Sequence, residues 1–171
     1  SRAGNSVKVN DWEMATRLSY LLWSSIPDET LRQAARNGEL STEAQIEAQA
    51  RRMLEDPKAK DAVYQFHRQW LKLDDFGSVV KDSERFPSFQ DQMTEAWHKS
   101  LKAFVEHTYF KEGGNVAELL TSSMVFLPDS VQTLYEAASG AAEVTVNGIE
   151  GFRFPEGRRA GLITQPALMA L

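Results

Sequence analysis

Apolar residues recur at intervals of three and four along much of the chain, and this spacing predicts a mainly helical fold. In the stretch that begins at Ala59, such a stripe continues through Val63, Phe66, Trp70 and Leu73. Capping residues and short polar breaks divide the first 73 residues into four segments of this kind. Four short helices joined by short loops are typical of a helical bundle.

Start and stop signals support these helices. Asn10, with Glu13 three residues later, predicts a capping box at the start of the first helix. Ser41 is expected to open the third helix, and Asp56-Pro57 to separate the third from the fourth. Each signal satisfies backbone N–H groups that a helix start leaves without partners.

A long helix is predicted from Ser88 to about Phe110. Asn115 and Asp129 can each cap a further short helix. One face of the long helix is expected to be apolar and buried, and it consists of Phe89, Met93, Trp97, Leu101, Phe104 and Thr108.

The pattern changes after Gly140. Asn147-Gly148, between β-branched residues, predicts a tight β-hairpin, and a bulge at Gly151 would bring its valines and phenylalanines onto one face. Helical spacing resumes in the closing segment. We therefore predict a mainly α fold: a bundle of about seven helices with a single β-hairpin near the C-terminal end.

Composition excludes several function classes. The chain has 171 residues and a formal net charge of −5, so a basic nucleic-acid footprint is not expected. It contains no cysteine. Disulfides, Cys-ligated zinc, iron–sulfur clusters and covalent c-type haem attachment are therefore excluded within this segment. Its apolar runs are far shorter than the roughly 20 residues of a membrane span.

Three stretches carry a more specific signal. They are RLSYLLWSSIPDETLRQAARNGEL at 17–40, QARRMLEDPKAKDAVYQFHRQWLKL at 49–73 and MVFLPDSVQTLY at 124–135. Together they resemble the fourth planctomycete-specific domain, a family of unknown function found in large exported bacterial proteins. The final FPEGRRAGLITQPALMAL resembles the opening of an adjoining family, the third planctomycete cytochrome-associated domain.

This resemblance implies a domain division and a setting. Residues 1–8 would be a flexible lead-in, 9–139 the helical domain, and 140–171 the hairpin and opening helix of a truncated adjoining domain packed on it. The parent protein would be periplasmic or extracellular and could carry c-type haem in another segment. Partners would be the other domains of that protein, or a second polypeptide continuing after Leu171.

Large apolar residues of these motifs at helical spacing are interpreted as core. This prediction covers Leu18, Trp23, Phe66 and Trp70.

No set of residues in the sequence indicates a catalytic, cofactor-binding or metal-binding site. The leading interpretation is therefore a non-catalytic docking module. Two alternatives stay open. One is part of a redox or polysaccharide-directed extracytoplasmic enzyme, completed by downstream or haem-bearing domains. The other is a small-ligand binding protein, which would require a closed pocket.

Histidines are the side chains that titrate near neutral pH, and the chain has three. His98 and His107 lie nine residues apart, on opposite faces of one helix at about 100° per residue, so they are not expected to share a metal. His67 is a weak candidate for a polar site, with a solvated or core-edge position favoured.

Two further candidates lie near the C-terminal end. Arg158 and Arg159 could clamp a carboxylate or phosphate, although a salt bridge to the acidic body of the domain is favoured. The apolar residues that follow are predicted to form half of an interface with the next domain. That candidate interface consists of Leu162, Ile163, Leu168 and Leu171.

Overall fold

The computed structural model describes residues 9–74, 82, 84–85, 92–111, 113–127, 140–146 and 148–169. Seven α-helices lie in these residues: α1 Asp11–Trp23, α2 Glu29–Arg36, α3 Glu43–Glu55, α4 Pro57–Trp70, α5 Gln92–Phe110, α6 Val116–Thr121 and α7 Pro166–Met169. A 3-10 turn spans Gly161–Thr164, and three strands form one antiparallel sheet: β1 Met124–Phe126, β2 Ala142–Val146 and β3 Ile149–Arg153. The predicted mainly α fold with a hairpin near the C-terminal end is confirmed.

Two compact units make up the chain, residues 1–63 and residues 64–171. Helix α4 begins in the first unit and ends in the second. The assignment of residues 140–171 to an adjoining domain stays a prediction.

Side-chain caps define the helices of the first unit. The Glu13 N–H donates to Asn10 Oδ1 and the Asn10 N–H donates to Glu13 Oε2, each at 2.9 Å, which confirms the predicted capping box. Helix α3 is capped by Thr42 together with Gln45, one residue later than predicted. The Lys58 N–H donates to Asp56 Oδ1 at 2.9 Å, as expected for a cap at the start of α4.

The core of the first unit is built around α1. Helices α2 and α3 both pack on α1. Leu18 and Trp23 are buried as predicted, whereas Leu21 of the same helix is 77% exposed. The buried apolar residues of this unit are Ala15, Leu18, Trp23, Leu31, Ala34, Ala35, Leu40, Met53, Ala59 and Ala62.

The predicted buried stripe of α4 is wrong at its C-terminal half. Phe66 is 61% exposed and Trp70 is 57% exposed, while Tyr64 and His67 are buried in their place. In this half of the helix, the buried face is therefore the one that carries Tyr64 and His67, and the predicted apolar stripe faces solvent. Burial of Tyr64 and His67 costs little because each ring has a polar partner on α5, and an unpaired polar group would be expensive.

Helix α5 has the predicted core face. Met93, Trp97, Leu101, Phe104 and Thr108 are all buried. Their spacing of three and four places them on one side of the helix. The predicted start of this helix, Ser88 and Phe89, lies outside the described residues.

Helix α6 is capped by Asn115 as predicted, since Asn115 Oδ1 accepts from the Glu118 N–H at 3.1 Å. The short helix predicted after Asp129 lies outside the described residues.

The hairpin forms without the predicted bulge. Val146 pairs with Ile149, and the regular register continues through Val144 opposite Gly151. The bulge prediction is wrong because β3 is the central strand of a three-stranded sheet rather than half of an isolated hairpin. A Cβ atom on Gly151 would lie 2.5 Å from the Val125 carbonyl oxygen, so this glycine permits the close approach of β1.

The third strand, β1, is the element of the described part that the sequence did not predict. Its three residues are all buried, and it pairs antiparallel with β3 in the register Val125 opposite Phe152. Phe152 and Phe154 are each 5% exposed. The phenylalanines that a bulge was expected to bury are therefore buried without one.

Candidate functional site

Several motif residues of the first unit are in contact around the ring of Trp23. The Trp23 indole N–H donates to the Met53 carbonyl at 2.8 Å. The Lys58 ammonium and the Arg52 guanidinium lie 4.6 and 5.6 Å from the ring centroid of Trp23. Both cations are within the range of cation–π attraction.

An ion pair continues this cluster. Arg52 donates to both carboxylate oxygens of Asp28, at 2.8 and 3.1 Å, and Asp28 Oδ1 also accepts from the Leu31 N–H at the start of α2. Burial opposes ionisation of Asp28, but the Arg52 and Leu31 hydrogen bonds outweigh it and lower the pKa of the carboxyl. We call Trp23, Asp28, Arg52, Met53 and Lys58 the motif clasp, and its chemistry is that of a structural junction between α1, α2, α3 and α4.

His67 is the buried histidine of the second unit, and its exposed fraction is 1%. The favoured expectation of a solvated or core-edge position is wrong. Its Nε2 lies 3.5 Å from the Tyr109 hydroxyl, and the two ring centroids are 5.5 Å apart. It also makes edge-type ring contacts with Phe66 and Trp70, at centroid distances of 5.3 and 5.9 Å. His67 therefore supports the exposed aromatic rings from beneath.

A second tyrosine–histidine contact joins α4 to α5. The Tyr64 hydroxyl and His98 Nδ1 are 2.9 Å apart. Burial raises the pKa of the Tyr64 phenol, and burial together with the nearby Arg68 guanidinium lowers the pKa of His98. At neutral pH a protonated phenol therefore shares a hydrogen bond with a neutral imidazole. Tyr64 and His98 are 34 positions apart in the sequence, so the spacing of the histidines did not predict this contact.

His107 lies in different surroundings from His98. Its ring meets the edge of Phe126 at a centroid distance of 5.4 Å, and burial lowers its pKa. The prediction that these two histidines do not share a metal stays a prediction. Within the described residues, no group of three or more His, Cys, Asp or Glu side chains is arranged to hold a metal ion.

The two arginines of the GRRAG segment differ in exposure, and the predicted anion clamp or salt bridge stays a prediction. Arg159 lies over the Phe154 ring, 4.7 Å from its centroid, and its Nη1 donates to the Thr164 carbonyl at 2.5 Å. Arg158 is exposed. Arg159 is therefore held against aromatic and backbone groups of its own unit.

The predicted interface residues divide between core and surface. Leu162 is 2% exposed, Leu168 is half-buried and Ile163 is 67% exposed. Leu171 lies outside the described residues. Sequence reasoning missed Val116 and Leu120 of α6 and Met169 of α7, all more than half exposed, because only folding brings α6 against the 3-10 turn.

Two grooves in the first unit are open to solvent. One, of about 410 Å³, is lined by Glu29, Thr30, Gln33, Ala34, Glu39 and Gln49. Glu29, Gln33 and Glu39 are exposed there, so this groove differs from the closed pocket that a small-ligand binding protein requires.

Comparison with known families identifies the chain. It matches the family described as PSD4, a protein of unknown function (DUF1592), over residues 9–137. Since this match covers well over half of its length, the chain belongs to that family. No curated protein and no solved structure matches it. None of the helices in the described part is long and apolar enough to cross a membrane.

Proposed function

We propose that this chain is a non-catalytic docking module of a large exported, cytochrome-associated, multidomain protein. The proposed contact surface consists of Val116, Leu120, Ile163 and Met169, which we call the docking face. The proposal includes a periplasmic or extracellular location and c-type haem in another segment of the parent protein, and it draws for these on the family resemblance. Its partner is a neighbouring domain of that protein.

The observation that carries the proposal is the exposure of four large apolar side chains on elements that pack together. Val116 is 60% exposed, Leu120 53%, Ile163 67% and Met169 66%. They come from α6, the 3-10 turn and α7, and the turn packs against both helices. Clustered exposed apolar side chains are typical of interaction surfaces.

Backbone contacts hold these elements in place. The Gly161 N–H donates to the Ser122 carbonyl at 2.8 Å, and a Cβ atom on Gly161 would lie 2.2 Å from the Leu119 carbonyl oxygen. Arg159 Nη1 lies 3.7 Å from Met169 Sδ. The buried Leu162 anchors the turn from within. A surface fixed before binding loses less conformational entropy when a partner docks.

Methyl NMR of the full chain tests the proposal. The probe is the domain that adjoins this family in the parent gene, supplied as a separate polypeptide. We expect the Ile163 and Met169 methyl resonances to shift on titration, and Ile163→Asp to weaken binding at least tenfold. Ile26→Asp, at a 65% exposed isoleucine of the first unit, is the matched control and should bind as the wild type does.

Two results would contradict the proposal. One is the absence of any shift at saturating concentrations of the adjoining domain. The other is an equal loss of binding in the Ile163 and Ile26 variants, which would assign the contact to some other surface.

A further inference from the structure

A second exposed feature of the molecule is the aromatic pair on the last turn of α4. The rings of Phe66 and Trp70 stack with centroids 6.0 Å apart and an angle of 23° between their planes. Both side chains are more than half exposed, although they lie on a helix whose other face is buried. Two large aromatic rings facing water are costly unless something covers them.

The rings are fixed in place. Buried His67 makes edge-type contacts with both rings, with interplanar angles of 89° to Phe66 and 70° to Trp70, and is itself in contact with Tyr109 of α5. A contact between α4 and α5 therefore sets the position of the surface aromatics. Such preorganisation lowers the entropic cost of binding a ligand.

The size of the pair indicates what kind of ligand it fits. A fully covered aromatic side chain buries about 150–250 Å², so these two partly exposed rings offer roughly 200–300 Å². A standard protein–protein interface takes about 800 Å² from each partner. The area matches the face of a small ring or of two ring units rather than a protein surface.

The neighbouring polar side chains indicate the charge of the ligand. At about 100° per residue, Gln65 and Gln69 lie along one side of the pair, and both are exposed. A carboxamide both donates and accepts hydrogen bonds and carries no charge. The ligand that suits this arrangement is neutral, with an apolar face and a rim of hydroxyl groups.

We propose that Phe66, Trp70, Gln65 and Gln69 form a surface binding site for a neutral carbohydrate chain. The C–H face of a pyranose ring stacks on the aromatic pair. The two glutamines exchange hydrogen bonds with its hydroxyls. The site is a binding site only, and it is independent of the docking face.

Affinity gel electrophoresis of the full chain tests this site. The gels contain hydroxyethyl cellulose, galactomannan or laminarin, which are soluble and neutral. We expect retardation in at least one of them, and Trp70→Ala and Phe66→Ala to weaken binding at least tenfold. Gln69→Ala, which leaves the rings in place, should weaken it severalfold.

Two controls separate stacking from altered folding. Trp12→Ala removes a 49% exposed tryptophan of the first unit and should bind as the wild type does. Trp70→Phe keeps a ring at the site and should retain binding within severalfold. The far-UV circular dichroism of every variant should match that of the wild type.

The proposal is overturned if the wild type migrates unretarded in all three gels. That result would favour a protein as the ligand of the aromatic pair. It is also overturned if Trp70→Ala and Trp12→Ala lower affinity equally. The Ile163→Asp variant should bind polysaccharide normally, so failure of this site and failure of the docking face are distinguishable.

Discussion

Trp23 and Trp70 both belong to motifs that resemble the family, and both lie on helices with apolar spacing, yet their surroundings differ. Trp23 is 4% exposed and donates its indole N–H to a carbonyl in the motif clasp of the first unit. Trp70, in the second unit, is 57% exposed and stacks on a surface phenylalanine. Residue type and spacing alone therefore do not decide burial. The polar partners available to each ring and to its neighbours decide it.

The units also differ in how their elements are joined. Side chains of α1, α3 and α4 and of the residue that caps α2 meet at the motif clasp in the first unit. In the second unit, Gly151 and Gly161 bring backbones closer than any side chain would allow. Substitutions should therefore act through lost side-chain contacts in the first unit and through backbone clashes in the second.

The largest effect is expected from Trp23→Ala. It removes a buried aromatic ring and the indole N–H that donates to the Met53 carbonyl, which should lower the free energy of unfolding by about 3–5 kcal/mol. Urea unfolding followed by circular dichroism measures it. Trp70→Ala is the matched control, and a change of about 0.5 kcal/mol or less is expected there. Equal losses in both variants would refute the difference between the two tryptophans.

A somewhat smaller effect is expected from Gly161→Ala in the second unit. The φ angle of Gly161 is +54°, and a Cβ atom would lie 2.2 Å from a carbonyl oxygen of α6, so the turn must move. We expect a loss of about 2–3 kcal/mol beyond that of Gly157→Ala. Gly157 also has a positive φ of +78° but open space around it. Similar unfolding midpoints for the two variants would show that the clash is relieved without cost.

The Asp28 carboxylate should make the first unit sensitive to strong acid. Its pKa in the folded chain is below its ordinary value of 3.8, so its stabilising contribution is present above that pH and is lost as pH falls through the lower folded pKa. Asp28→Asn keeps a helix cap but loses the ion pair, at a cost of about 0.5–1 kcal/mol at pH 7. The unfolding free energy of this variant should vary less with pH below 4 than that of the wild type. An unchanged slope would exclude Asp28 as the group responsible.

The smallest effect concerns His98 and a milder pH range. The pKa of His98 is lowered below its ordinary value of 6.5, so the unfolded chain takes up a proton first as pH falls, and stability declines from pH 7 toward the folded pKa. His98→Gln should reduce this decline. Tyr64→Phe keeps the titrating histidine, so the decline should persist in that variant. Unfolding free energies at pH 7.5 and 5.5 test this. A decline of the same size in His98→Gln would assign it to another group, such as His107, whose pKa is shifted in the same direction.

Much of the fold could be predicted because its signals are local. The capping box at Asn10, the start of α6 after Asn115 and the buried face of α5 depend on residues within a few positions of one another. Strand β1 could not be predicted, because its three residues become a strand by pairing with β3 far along the chain. The bulge prediction failed for the same reason, because it did not include the pairing of β3 with the sequence-distant strand β1.

The candidate sites were less predictable than the fold. Ile163 was recognised from its apolar context, but its neighbours on α6 come from a segment more than 40 residues away. The position of His67 was mistaken because its partner, Tyr109, lies 42 residues further along the chain. A histidine without a visible partner is expected near solvent, since burying it unpaired would be unfavourable.

The sequence by itself determined where helices start and stop, that the fold is mainly α, and which family the chain resembles, because caps, spacing and motifs are properties of neighbouring residues. Only the tertiary structure decided which face of α4 is buried. Tyr64 and His67 could enter the interior because α5 supplies His98 and Tyr109 as partners, and this turned Phe66 and Trp70 outward. Burial of a polar side chain depends on partners that are distant in sequence, so periodicity along one helix cannot determine it.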